Sequence, residues 1–83
     1  MEKILIGLYV PAVQKHFDLF VPSKLSIREL TELLSTGVDD LSNGGFSRTG
    51  SEMLCMKEPD MLLQPDKNLY DYGVEDGAQF IML

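Results

Sequence analysis

Cys55 and His16 are the lone cysteine and the lone histidine of the chain. Together they could form a nucleophile and its base. Such a pair works only when thiol and imidazole lie within hydrogen-bond reach and a third group orients the base. Cys55 sits in the apolar run Met53-Leu54-Cys55-Met56, where cysteine behaves as a small hydrophobe. His16 belongs to a distant run, so the pair is read as non-catalytic. The stretch from Gly45 to Ser51 (GFSRTGS) has the outline of a phosphate-binding loop. It lacks the lysine before the final serine and leads into a strand, so no helix N-terminus cradles a phosphate. Asp39-Asp40 and Glu75-Asp76 are adjacent acids without the alternating oxygen ligands of a calcium loop. No catalytic residue, metal or cofactor is expected, and the chain is read as not an enzyme.

Composition narrows the partner class. The chain has 83 residues, 45% of them hydrophobic, which suits one domain spanning 1–83 with one modest core and no deep substrate pocket. Its 13 acids and 7 bases give a net charge of −6, a field that repels nucleic acid. The first 35 residues balance; the excess of acid lies entirely after them. That half could steer a basic protein, or serve solubility. A single Cys fits a reducing compartment. Glu2 follows Met1, and no small-residue cleavage site follows an apolar stretch, so no signal peptide is read. The longest apolar run, Ile4 to Val10, is too short to span a bilayer. A cytoplasmic protein without membrane insertion is expected.

Lys3 to Val10 (KILIGLYV) is β-branched, apolar on both parities and stopped by Pro11, which predicts a central strand. His16 to Val21 alternates and predicts its hairpin partner. Ser26 opens a helix, with Glu29 completing a capping box. Ile27, Leu30, Leu34, Val38 and Leu41 form one apolar stripe, widened by Leu33. The helix ends at Gly37 or runs on to Leu41. Glu52 to Lys57 predicts a third strand and Met61 to Leu63 a short fourth. Asn68 to Tyr72 predicts a short helical turn ended by Gly73, capped by Asp71. Ala78 to Leu83, apolar on both parities, predicts a last strand parallel to the first. One long helix lying across one face of a mixed sheet is an α+β fold of the β-grasp kind.

Parity then divides the sheet. Ile4, Ile6, Leu8, Phe17, Leu19, Val21, Leu54, Met56, Phe80 and Met82 should face the helix. Leu5, Tyr9, Phe20, Met53, Cys55 and Ile81 should face outward around Gly7. Six apolar side chains on one open face are an interaction surface for a protein partner, a homodimer contact, or a surface covered by loops. Phe46, beside Arg48 in the glycine-rich loop, is a second candidate anchor, unless it folds back on the core.

The order of elements resembles ubiquitin, most closely in two stretches. One is Phe17 to Leu34. The other is Asn68 to Leu83 (NLYDYGVEDGAQFIML), where Leu69, Asp71, Tyr72 and Val74 hold the matching types. The whole chain is similar to the YukD/EsaB-like ubiquitin-like proteins associated with type VII secretion in Firmicutes. It is also similar to the N-terminal cytoplasmic domain of the large membrane component of such systems. The resemblance implies a ubiquitin-like β-grasp fold and protein binding on the sheet face away from the helix. It also implies a Tyr72 that packs under a loop and gives its hydroxyl to backbone. Conjugating and sulfur-carrying members end in a flexible Gly-Gly tail, whereas this sequence reads Phe80-Ile81-Met82-Leu83 at that point. An accessory or regulatory secretion component that is not conjugated is therefore expected, and a protein modifier or sulfur carrier is the alternative.

Overall fold

The structure, a computed structural model, describes residues 3–42, 52–57 and 60–83. Its elements are β1 (Lys3–Val10), β2 (Lys15–Pro22), α1 (Ile27–Leu41), β3 (Leu54–Lys57), β4 (Asp60–Leu62) and β5 (Ala78–Met82). The sheet runs in the order β2-β1-β5-β3-β4. β1 pairs antiparallel with β2 and parallel with β5, and β3 lies antiparallel to both β5 and β4. The two strands apolar on both parities are therefore neighbours inside the sheet. This is the mixed-sheet, one-helix β-grasp fold expected from the sequence.

α1 begins where Ser26 caps it. The Ser26 hydroxyl accepts from the Glu29 N–H at 3.2 Å and donates to the Glu29 carboxylate at 2.9 Å. The next two orphan amides are met by a turn: Ile27 donates to the Lys67 carbonyl at 2.7 Å and Arg28 to that of Pro65 at 3.1 Å. The helix entrance is thus closed by the protein itself. Of the two predicted ends, the later one is found, at Leu41. Gly37 is accommodated because propensity costs only about 1 kcal/mol there while Ile27, Leu30, Leu34 and Val38 are all buried.

The stripe is narrower than predicted. Leu33 is 50% exposed and Leu41 58%. One residue step turns about 100° around a helix, which carries Leu33 off the face that holds Leu34. Leu41 is the last helical residue, a turn beyond the deepest layer. The sheet contributes Ile6, Leu8, Val10, Val21, Leu54, Phe80 and Met82 to the core, with Ile4, Phe17, Leu19 and Met56 packed against it. Every residue predicted to face the helix does so.

Boundaries shift by one or two residues. β3 starts at Leu54 rather than Glu52, although Met53 still exchanges two backbone bonds with Leu83, each 2.9 Å. β4 is Asp60–Leu62, and buried Leu63 follows it, donating to the Leu54 carbonyl at 3.1 Å.

The segment predicted as a short helical turn is a run of tight turns, with Tyr72 bonded to Leu69 and Gly73 to Tyr70. Gly73 ends it at φ 67°, a conformation that favours glycine. Asp71 shares the capping role: Asn68 and Asp71 each accept the other's backbone N–H, at 2.8 and 3.1 Å. Tyr72 does pack against the core, but its hydroxyl accepts from the Gln64 N–H at 2.9 Å. The direction is opposite to the expected donation, because the exposed backbone group it meets is an amide.

Candidate functional site: the open face of the sheet

The printed registers build the open face row by row. Tyr9 stands opposite His16 on one side and Ile81 on the other; Ile81 stands opposite Cys55, and Cys55 opposite Leu62. One line of side chains, His16–Tyr9–Ile81–Cys55–Leu62, therefore crosses all five strands. The His16 ring packs on Tyr9, with centroids 4.6 Å apart. Leu83, 60% exposed, and Met53, 48% exposed, form the next row beside Ile81 and Cys55. Leu62 is 56% exposed. Tyr9, Cys55 and Ile81 are half-buried. Together these side chains make one apolar corner.

Leu5 and Phe20 are not part of it. They pair with each other on the same face, four residues up β1 from Tyr9, or roughly 13 Å along the strand. The row between holds Asp18, Gly7 and Gln79. Gly7 is buried although it faces outward, because the Gln79 side chain folds back over it. The Gln79 amide donates to the Gly77 carbonyl at 3.2 Å. A Cβ on Gly7 would run into that amide. Here a glycine inside a strand marks a close approach. The six outward residues predicted from parity all face outward, but the polar row splits them into a corner of four and a pair.

Sequence reasoning missed Leu62, Leu83 and His16 as members of the corner. Leu83 shares parity with Ile81 and was within reach of the same argument. Leu62 depended on the β3–β4 register, which a three-residue strand does not announce. Phe46 and Arg48, the predicted loop anchors, lie outside the described residues.

Cys55 and His16 are not brought together. His16 is on the edge strand β2, and Cys55 on β3, with β1 and β5 between them. Among the described residues no group of His, Cys, Asp and Glu could hold a metal ion. A groove of about 670 Å³ runs between α1 and β3–β4, with Thr31, Ser35, Leu54 and Leu62 among its walls. Three hydroxyls in its lining donate to backbone: Thr31 to Ile27 at 2.7 Å, Ser35 to Thr31 at 2.8 Å and Thr36 to Glu32 at 3.1 Å. No helix among the described residues is long and apolar enough to cross a membrane.

No family model matches the sequence, and no curated protein does. Solved structures do match in fold. The ubiquitin-like domain of Plasmodium falciparum Dsk2 superposes with a TM-score of 0.70 at 17% identity, over 99% of this chain and 100% of that one. The ubiquitin-like domain of the Mycobacterium tuberculosis type VII secretion protein ECCD1 gives 0.62 at 16% identity, over 100% of this chain and 99% of that one. A chain of the MycP5-free ESX-5 inner membrane complex gives 0.72 at 13% identity, over 100% of this chain and 21% of that one. The fold is that of ubiquitin-like proteins, and its structural neighbours include a ubiquitin-like domain from a type VII secretion system.

Proposed function

We propose that this chain is a non-enzymatic ubiquitin-like module that acts by protein–protein contact in the cytoplasm. In this reading it is a YukD/EsaB-like accessory or regulatory component of a type VII secretion system, and it docks without being conjugated. The observation that carries the reading is the apolar corner Tyr9–Ile81–Cys55–Leu62 with Leu83 and Met53. It is an exposed apolar group larger than a solvated sheet face needs. The likeness to the ECCD1 domain supports the pathway, and the cytoplasmic part of a membrane-bound secretion component is the partner class it suggests. Half-buried Tyr9 and Ile81 would supply the contact area at the centre, as aromatic and aliphatic anchors do. The chain's net charge of −6 would speed encounter with a basic partner.

The test is calorimetric titration of the chain against cytoplasmic domains of the secretion membrane components of the same genome. Tyr9→Asp and Ile81→Asp are expected to abolish binding while the melting temperature stays within a few degrees. Undiminished binding by both variants refutes the surface. Mass spectrometry of the cellular protein covers the other class: an isopeptide adduct or thiocarboxylate would make it a modifier or sulfur carrier.

A further inference from the structure

β2 is an unusually inviting sheet edge. It is eight residues long and ends the sheet, whereas the opposite edge, β4, has three residues. Natural edges are generally short, or guarded by prolines, charges and bulges. The proline of β2 is its last residue, Pro22, and Phe20 on it is 69% exposed.

Among the described residues no strand pairs with the outer side of β2, and the direction of its outward backbone groups follows from β1. Leu5 donates its N–H to Asp76 at 2.9 Å and accepts at its carbonyl from Gly77 at 2.8 Å. Both groups therefore point away from β2. In an antiparallel pair, opposed residues alternate between exchanging bonds and turning away. Leu5 pairs with Phe20 in an unbroken register, so Phe20, Asp18 and His16 turn their N–H and C=O toward the open edge. Pro22 falls on the same parity, where its missing N–H costs the ladder nothing.

We propose that this edge pairs with the same edge of a second copy, antiparallel about a two-fold axis at Phe17, joining two sheets into one. Only registers that oppose outward-pointing residues can form bonds. The register centred on Phe17 sets His16 opposite Asp18 of the second copy, and Asp18 opposite its His16. Each such pair exchanges two backbone bonds. The two half-buried Phe17 rings meet across the axis as a non-hydrogen-bonded pair, where side chains come closest. Centring on Asp18 instead puts like charges directly opposite each other, which is destabilising. Centring on Leu19 puts His16 opposite Pro22, which has no donor.

Charge selects the occupant as well. β2 carries one formal cation, Lys15, and one anion, Asp18, whereas α1 carries Arg28 against Glu29, Glu32, Asp39 and Asp40. Two acidic chains therefore repel less along this edge than they would helix to helix.

Sedimentation of the full chain across about 10–500 μM, which brackets micromolar dissociation constants, tests the pairing. A concentration-dependent dimer is expected. Asp18→Lys should weaken it about tenfold, and so should His16→Asp. The double exchange His16→Asp with Asp18→His should restore it, because position 16 still meets position 18 with opposite character. Asp18→Pro, which removes an edge-facing N–H, should leave a folded monomer, with retention of the melting transition as its control. A chain monomeric throughout the range overturns the proposal, whether or not a foreign strand occupies the edge. A dimer that survives Asp18→Lys and Asp18→Pro but is lost in Ile81→Asp also overturns it, by moving the contact to the open face.

Discussion

Both faces of the sheet carry apolar side chains, the covered face more of them, and they use them differently. On the covered face, Ile6, Leu8, Val10 and Phe80 are fully buried beneath α1. On the open face, Ile81, Cys55 and Tyr9 stay half-buried, and Leu62 and Leu83 are more than half exposed. Alternation within one strand produces both: Phe80 lies under the helix and Ile81, the next residue, lies outside. The difference separates stability from recognition at neighbouring positions, so each can be altered without the other.

Phe80→Ala should have the largest effect, destabilising the fold by about 3–5 kcal/mol in urea melts, since the cavity it leaves is closed on every side. Leu34→Ala should cost about 2–5 kcal/mol on the same scale, the helix's share of that core. Tyr72→Phe, which strips the acceptor from the Gln64 N–H, should cost at most about 1 kcal/mol, because that amide can turn to water. Smallest of all, Ile81→Asp and Leu5→Asp should each leave the melting temperature within a few degrees. They should differ in binding: Ile81→Asp abolishes it and Leu5→Asp leaves it intact. If Leu5→Asp also abolishes binding, the polar row at Gly7 and Gln79 does not divide the face.

Much of this was readable from residue order. Period-two patterning in β1 and β5, and the 3–4 spacing in α1, fixed which side each of their residues takes, and the outward placement of Leu5, Tyr9 and Ile81 follows from that alone. Ser26 and Glu29 announced the helix start because a capping box is a local device. What the sequence concealed was non-local. Nothing near Gly7 says that Gln79 will fold over it. Leu62 joined the corner only through a register that β3 and β4 settle between them. The direction of the Tyr72 hydrogen bond depended on which group of the 63–65 segment came within reach.

The central claim is that the corner around Ile81 is where a partner docks. Amide chemical shifts of the labelled chain, followed as a cytoplasmic domain of the secretion membrane apparatus is added, test it most directly. The account predicts shifts concentrated at Tyr9, Cys55, Leu62, Ile81 and Leu83, with Leu5, Phe20 and the outer face of α1 unmoved. Shifts gathered on α1 or at the Leu5–Phe20 end, with the corner silent, would contradict it.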